Sequence, residues 1–123
     1  MSCLPQPVAA SALTSAERTA RVRSLNDAFR RTFLGGRVVE TSGVARLSEA
    51  DRISLFLAVR RFDGFNPDND PHGEHDFGAV EVGGERFFWK IDYYDRELQE
   101  SSPDSADPNL TLRVLTLMRA DEY

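Results

Sequence analysis

Apolar and polar positions alternate along the chain at two different periods, and the period predicts the element. Val22, Leu25, Phe29 and Thr32/Phe33 recur at steps of three and four, one stripe of a helix. Thr14-Ser-Ala-Glu17 precedes it as a capping box, a hydroxyl at the N-cap and a carboxylate three residues on. Leu34-Gly35-Gly36 predicts its end, because glycine takes the left-handed C-cap conformation readily. The β-branched run Arg37 to Val44 predicts a short strand. Ser48-Glu-Ala-Asp51 opens a second helix by the same capping logic. Its body, Ile53 to Val59, is apolar almost all round, which predicts the most buried helix. A buried strand is the competing reading of so short an apolar run.

The period then changes to two. Phe77 to Val82, Gly83-Gly84 and Glu85 to Tyr94 read as a β-hairpin with a two-residue turn. That turn predicts a register in which Val82 faces Glu85, Glu81 faces Arg86, Val80 faces Phe87 and Gly78 faces Trp89. Phe87, Trp89, Ile91 and Tyr93 then share the core face, and Gly78 leaves room for the indole. After a polar link, Asp107-Pro108 gives an N-cap with proline at the first helical position. Leu110, Val114, Leu117 and Met118 follow as the apolar face of a last helix. The expected architecture is α+β: a small antiparallel sheet with its hairpin in the C-terminal half, packed against about three helices. It forms a single domain over residues 14–123, behind a flexible tail at 1–13.

Composition adds a charge asymmetry to this outline. Residues 1–61 carry ten arginines against five acids, net +5, and residues 62–123 carry five basic residues against fifteen acids, net -10. Two faces of opposite potential follow, unless the halves neutralise each other on folding. The single cysteine, Cys3, excludes an internal disulfide and a four-cysteine zinc site, and fits a reduced, cytoplasmic protein. No apolar run approaches the roughly 20 residues that span a bilayer, so no membrane partner is expected. Arginines 18, 21, 23, 30 and 31 lie mostly off the first helix's stripe and could meet phosphates. No aromatic or glycine pattern interleaves with them, so direct nucleic-acid binding is the weaker expectation.

The candidate chemistry lies in Phe62 to Gly78, which holds both histidines, His72 and His75, with five acids and two prolines. Extending the hairpin register backwards places His75 opposite Asp92, beside Lys90. A carboxylate there would fix the imidazole tautomer. His75, Asp92 and Lys90 are thus the candidate catalytic residues. Asp68, Asp70, His72 and His75 are the candidate ligands of one divalent metal ion, the alternative to a protein without a cofactor. The same stretch also fits a loop whose Asp and Asn side chains cap backbone amides in consecutive turns. Asp76, Trp89, Tyr93, Tyr94 and Asp95 form an aromatic and acidic cluster suited to a protein partner.

Leu25-Asn-Asp-Ala-Phe-Arg-Arg31, Pro67 to Gly78, Trp89-Lys-Ile-Asp-Tyr-Tyr-Asp95 and Arg113 to Met118 resemble a family of small bacterial proteins of unknown function. The resemblance implies a cytoplasmic accessory role, often in plasmid or other mobile-element settings near anti-restriction genes. It transfers no catalytic residue. The leading expectation is a non-catalytic interaction or inhibitory module whose acidic half meets a basic surface on a protein partner. The alternative is a metal-dependent hydrolase or nuclease built on Asp68 to His75 and Asp92. Oligomeric state is not legible in the sequence.

Overall fold

The computed structural model describes residues 12–123; Cys3 and residues 1–11 of the expected tail lie outside the described residues. The element order is α1 (Ser15–Thr32), β1 (Gly36–Glu40), α2 (Ser42–Ala45), α3 (Glu49–Arg60), β2 (Phe77–Val82), β3 (Glu85–Tyr94) and β4 (Leu112–Arg119), closed by a 3-10 turn at Ala120–Glu122. The class is α+β, as expected. Among the described residues the sheet has four strands in the order β1-β4-β3-β2. It is mixed rather than antiparallel, because β1 runs parallel to β4.

Both capping predictions hold. Thr14 accepts from the Glu17 N–H while Glu17 accepts from the Thr14 N–H, and Ser48 accepts from the Asp51 N–H. The end of α1 differs: Phe33, not glycine, takes the left-handed conformation, with φ 58°. Its ring then packs edge-on against Phe56, centroids 6.0 Å apart. The hairpin register is the predicted one at every pair from Phe77↔Lys90 to Val82↔Glu85. The expected strand after α1 is shorter, because Thr41 leads into α2.

The expected last helix is a strand. Leu112–Arg119 forms β4 between β1 and β3, with Arg113, Leu115 and Leu117 turned to the helices. Leu110 is exposed and outside it. Asp107 caps only a turn, its Oδ1 accepting from the Asn109 N–H at 2.9 Å. Residues 120–122 are fixed by contacts. Glu122 accepts from the Thr41 hydroxyl and from the N–H groups of Gly43 and Arg119, tying the chain's end to the start of α2.

The core lies between the helices and one face of the sheet. Phe29, Val44, Leu55 and Val59 meet Phe87, Trp89, Ile91, Leu115 and Leu117 there. α3 is less buried than its composition predicts. Leu55 and Val59 face the core, but Ile53 and Leu57 are 51% and 38% exposed, so α3 is a surface helix with an apolar outer side. Leu13, the last residue of the expected tail, packs beside Val22, Ala106 and Tyr93.

Trp89 is the hub of this core, fully buried with Phe62 and Phe65 edge-on against its ring. It lies directly over Gly78. A Cβ at Gly78 would come within 2.5 Å of the indole Nε1. The ring cannot retreat without displacing both phenylalanines. Gly78→Ala is therefore expected to destabilise the fold by about 2 kcal/mol, the overpacking range. Urea unfolding with an unchanged midpoint would disprove that packing.

Candidate functional site

The polar stretch is built from turns. Asn66 Oδ1 accepts from the N–H groups of Asp68 and Asn69, and Asn69 Oδ1 accepts from the Asn66 N–H. These side-chain caps stand in for ladder bonds that a loop cannot make. The stretch is then bound to α1 by polar groups that the sequence placed elsewhere. Asn26 and Arg30, one turn apart on α1, are both fully buried. The Asn26 amide donates to Glu74 O at 3.0 Å and to the Tyr93 hydroxyl at 2.7 Å. Its Oδ1 accepts from Arg113 Nε at 2.8 Å. Arg30 donates to Asp27 Oδ1 at 2.9 Å and to Phe62 O at 3.1 Å, with its plane 5.2 Å from the ring centres of both Phe65 and Trp89. Arg30 therefore belongs to the interior and is not available to phosphates.

His75 completes this network instead of facing Asp92. The backbone takes φ 57° at His75, which turns the chain away from the sheet before Phe77. The ladder reaches back only as far as Asp76, whose carbonyl accepts from the Ile91 N–H at 2.8 Å. The imidazole stacks on Phe65 at 3.7 Å, with the rings 4° from parallel. Nδ1 lies 2.9 Å from Asp27 Oδ1 and Nε2 lies 3.6 Å from Asp70 Oδ2. Asp70 also accepts from the His75 N–H. Asp92 pairs with Lys90 on the opposite face, Nζ to Oδ2 3.0 Å. The expected His75–Asp92–Lys90 constellation is thus not assembled. The hairpin register was right, but one left-handed residue ended it early.

The expected metal ligands are dispersed in a similar way. Asp68 and His72 are exposed. The two ring nitrogens of His75 face different carboxylates across opposite edges of the imidazole. Among the described residues no three His, Cys, Asp or Glu side chains come together as a metal site.

Of the expected partner-binding cluster, Trp89 is core and Tyr93 is largely buried, its hydroxyl donating to Glu74 Oε2 at 3.0 Å. Burial pushes the Tyr93 phenol upward, against the opposing Asn26 bond, so it stays protonated near neutrality. Asp95 accepts from the Glu97 and Gln99 N–H groups and shapes the following turn. Asp76 and Tyr94 remain, half-buried. With Asp92, Ser101, Ser102 and Ser105 they line a groove of about 370 Å³ where the end of β3 meets the 95–111 loop. Burial first, then the neighbouring Glu74 carboxylate, raises the Asp76 pKa. Among the described residues no lysine or arginine pairs with it.

These elements define a small α+β protein, its helices on one sheet face and a polar loop fastened to the first helix. The chain belongs to a family of proteins of unknown function, DUF3768, whose family model matches residues 40–122. The matched span takes in the polar loop, the hairpin and β4. It leaves out α1, which supplies Asn26, Asp27 and Arg30. Nothing among curated proteins matches the chain, and no solved structure does. No helix of the described residues is long and apolar enough to cross a membrane.

Asp27 links both halves of the network, so its charge should control stability. Burial alone would raise its pKa, but the His75 and Arg30 bonds outweigh this and hold it below its ordinary value of 3.8. The unfolded chain therefore takes up the proton first as pH falls. The stabilisation is complete above pH 3.8 and is lost as pH drops through the lower, folded-state pKa. Asp27→Asn should cost about 3 kcal/mol at neutral pH, since it leaves the buried Arg30 without its counter-charge. It should also flatten the acid limb of a stability–pH curve. A variant with the parent's acid limb would show that Asp27 is not the linking charge.

Proposed function

We propose that the protein is a non-catalytic interaction module whose acidic half binds a basic surface on a partner protein. The observation that carries this reading is the half-buried, unpaired Asp76 carboxylate in the groove with Asp92 and Tyr94. A carboxylate held in part from water with no lysine or arginine paired to it is a site that an incoming arginine or lysine would relieve. The acids Asp63, Asp68, Glu97 and Glu100 in the same half of the chain are exposed and add to its negative charge. The binding of His75, Asp70 and Tyr93 within the fold supports a binding role over a catalytic one. A nucleic-acid-handling protein, whose phosphate-binding surface the acidic half would meet as a mimic of phosphate, is the kind of partner such a field suits. A bacterial, cytoplasmic setting on a mobile element is part of the same proposal.

An oligo-arginine peptide is a suitable first probe. Its affinity should fall about tenfold or more between low and physiological salt, and again on joint replacement Asp76→Asn and Asp92→Asn. Binding that ignores salt, or that survives the double replacement unchanged, would defeat the proposal.

A further inference from the structure

Beyond that acidic groove, the molecule has a second unpartnered feature of opposite polarity, at the other edge of the sheet. Among the described residues β1 is an edge strand, paired only with β4. The Thr41 N–H donates to Leu117 O. In a parallel ladder, alternate residues bond to the same neighbour, so Arg37 and Val39 also turn their amides to β4. The N–H and C=O groups of Val38 and Glu40 point away from the sheet, where no described strand meets them. Such a row of free donors and acceptors is a template for an added strand.

The edge opens onto a groove of about 660 Å³ lined by Phe33, Val38, Glu40, Arg52 and Phe56. Glu40 and Arg52 neutralise each other, Oε1 to Nη2 2.6 Å, so the remaining floor is apolar. Val39, on the opposite face of β1, is 43% exposed, and Leu34 just before the strand is 75% exposed. Arginines stand beside this groove and on β1. Arg60 lies over the Phe33 ring and donates to Arg31 O, and Arg37 projects from β1 itself. None of Arg31, Arg37 and Arg60 has a carboxylate partner among the described residues.

We propose that β1 is a docking edge for an extended segment of a partner protein in which apolar and acidic residues alternate. Added as a fifth strand, the segment bonds to the free amides of Val38 and Glu40. One set of side chains enters the Phe33–Val38–Phe56 groove, and the other lies beside Val39, where acidic groups meet Arg37. Strand addition of this kind takes affinity from main-chain bonds and specificity from alternate side chains. These arginines disfavour a second copy of β1, which would bring its own to the same place.

The test uses the full chain and two synthetic probes, an acetylated, amidated heptapeptide of alternating glutamate and valine and its lysine–valine counterpart. The glutamate peptide should shift the backbone NMR signals of Gly36 to Glu40 and slow hydrogen exchange at Val38 and Glu40. It should bind about tenfold more tightly than the lysine peptide. Val38→Pro removes an outward N–H without touching the ladder to β4, and should abolish peptide binding while leaving the oligo-arginine probe unaffected. Arg37→Glu with Arg60→Glu should invert the preference between the two peptides, which keeps the test decisive if the proline variant fails to fold. The proposal falls if the glutamate peptide causes no shift up to about 1 mM, or if its shifts map to β2 or to the Asp76 groove. It falls equally if Val38 and Glu40 are already protected without peptide, because the edge would then be covered by a second copy or by this chain's own residues.

Discussion

Two guanidinium groups buried under the sheet impose the main constraint on this fold. Arg30 has no exposed surface and Arg113 is 4% exposed. A buried charge without partners costs several kcal/mol, so each must find acceptors inside the protein. Arg113 is shared between Asn26 of α1 and the carbonyl of Ser105, which draws the 95–111 loop against the helix. Arg30 is shared between Asp27 and the Phe62 carbonyl, which fixes the start of the polar stretch. Both charges also lie against aromatic faces, Arg30 on Phe65 and Trp89 and Arg113 on Tyr93. The two connecting loops, without regular structure of their own, are positioned by what the arginines require.

That constraint redistributes the roles of the polar residues. His75, Asp70, Asp27, Glu74 and Tyr93 all carry groups used in catalysis elsewhere, but here they join the loop to α1 and to β3. The surfaces left over are at the two ends of the sheet's chemistry: an acidic groove by Asp76 and a cationic, apolar edge at β1. Residues 40–122 contain most of the loop and sheet, but Arg113 and the Glu74 carbonyl bond to Asn26 on a helix that precedes them.

Local signals were legible in the sequence where one short segment determines the geometry. The capping box at Thr14 and the N-cap at Ser48 needed only hydroxyls and carboxylates at fixed spacing. The hairpin register followed from Gly83-Gly84, both at positive φ, and from strict alternation in β3. Long-range effects were not legible. The segment Leu110 to Met118 has leucines at both helical and alternating spacing, and only its place between β1 and β3 decides for the strand. At His75 the alternation gives no sign of a left-handed residue, because that conformation is held by Asp27, Asp70 and Phe65 from elsewhere in the chain or loop. Asn26 and Arg30 did leave a trace. They lie on the same helical stripe as Val22, Phe29 and Phe33, and a polar residue on an apolar stripe is a candidate for burial with a partner. The identity of that partner depends on the tertiary fold.

The central claim is that α1 holds the polar loop through buried polar bonds, so that the loop is part of the fold and not a mobile site. Hydrogen exchange in Asn26→Ala tests it most directly, because Asn26 touches the loop, β3 and β4 at once. In that variant the amides from Gly73 to Asp76 should exchange about tenfold faster or more, while those of β3 from Phe87 to Ile91 keep their protection. Loop amides that exchange as in the parent protein, or an equal acceleration throughout the chain, would contradict it.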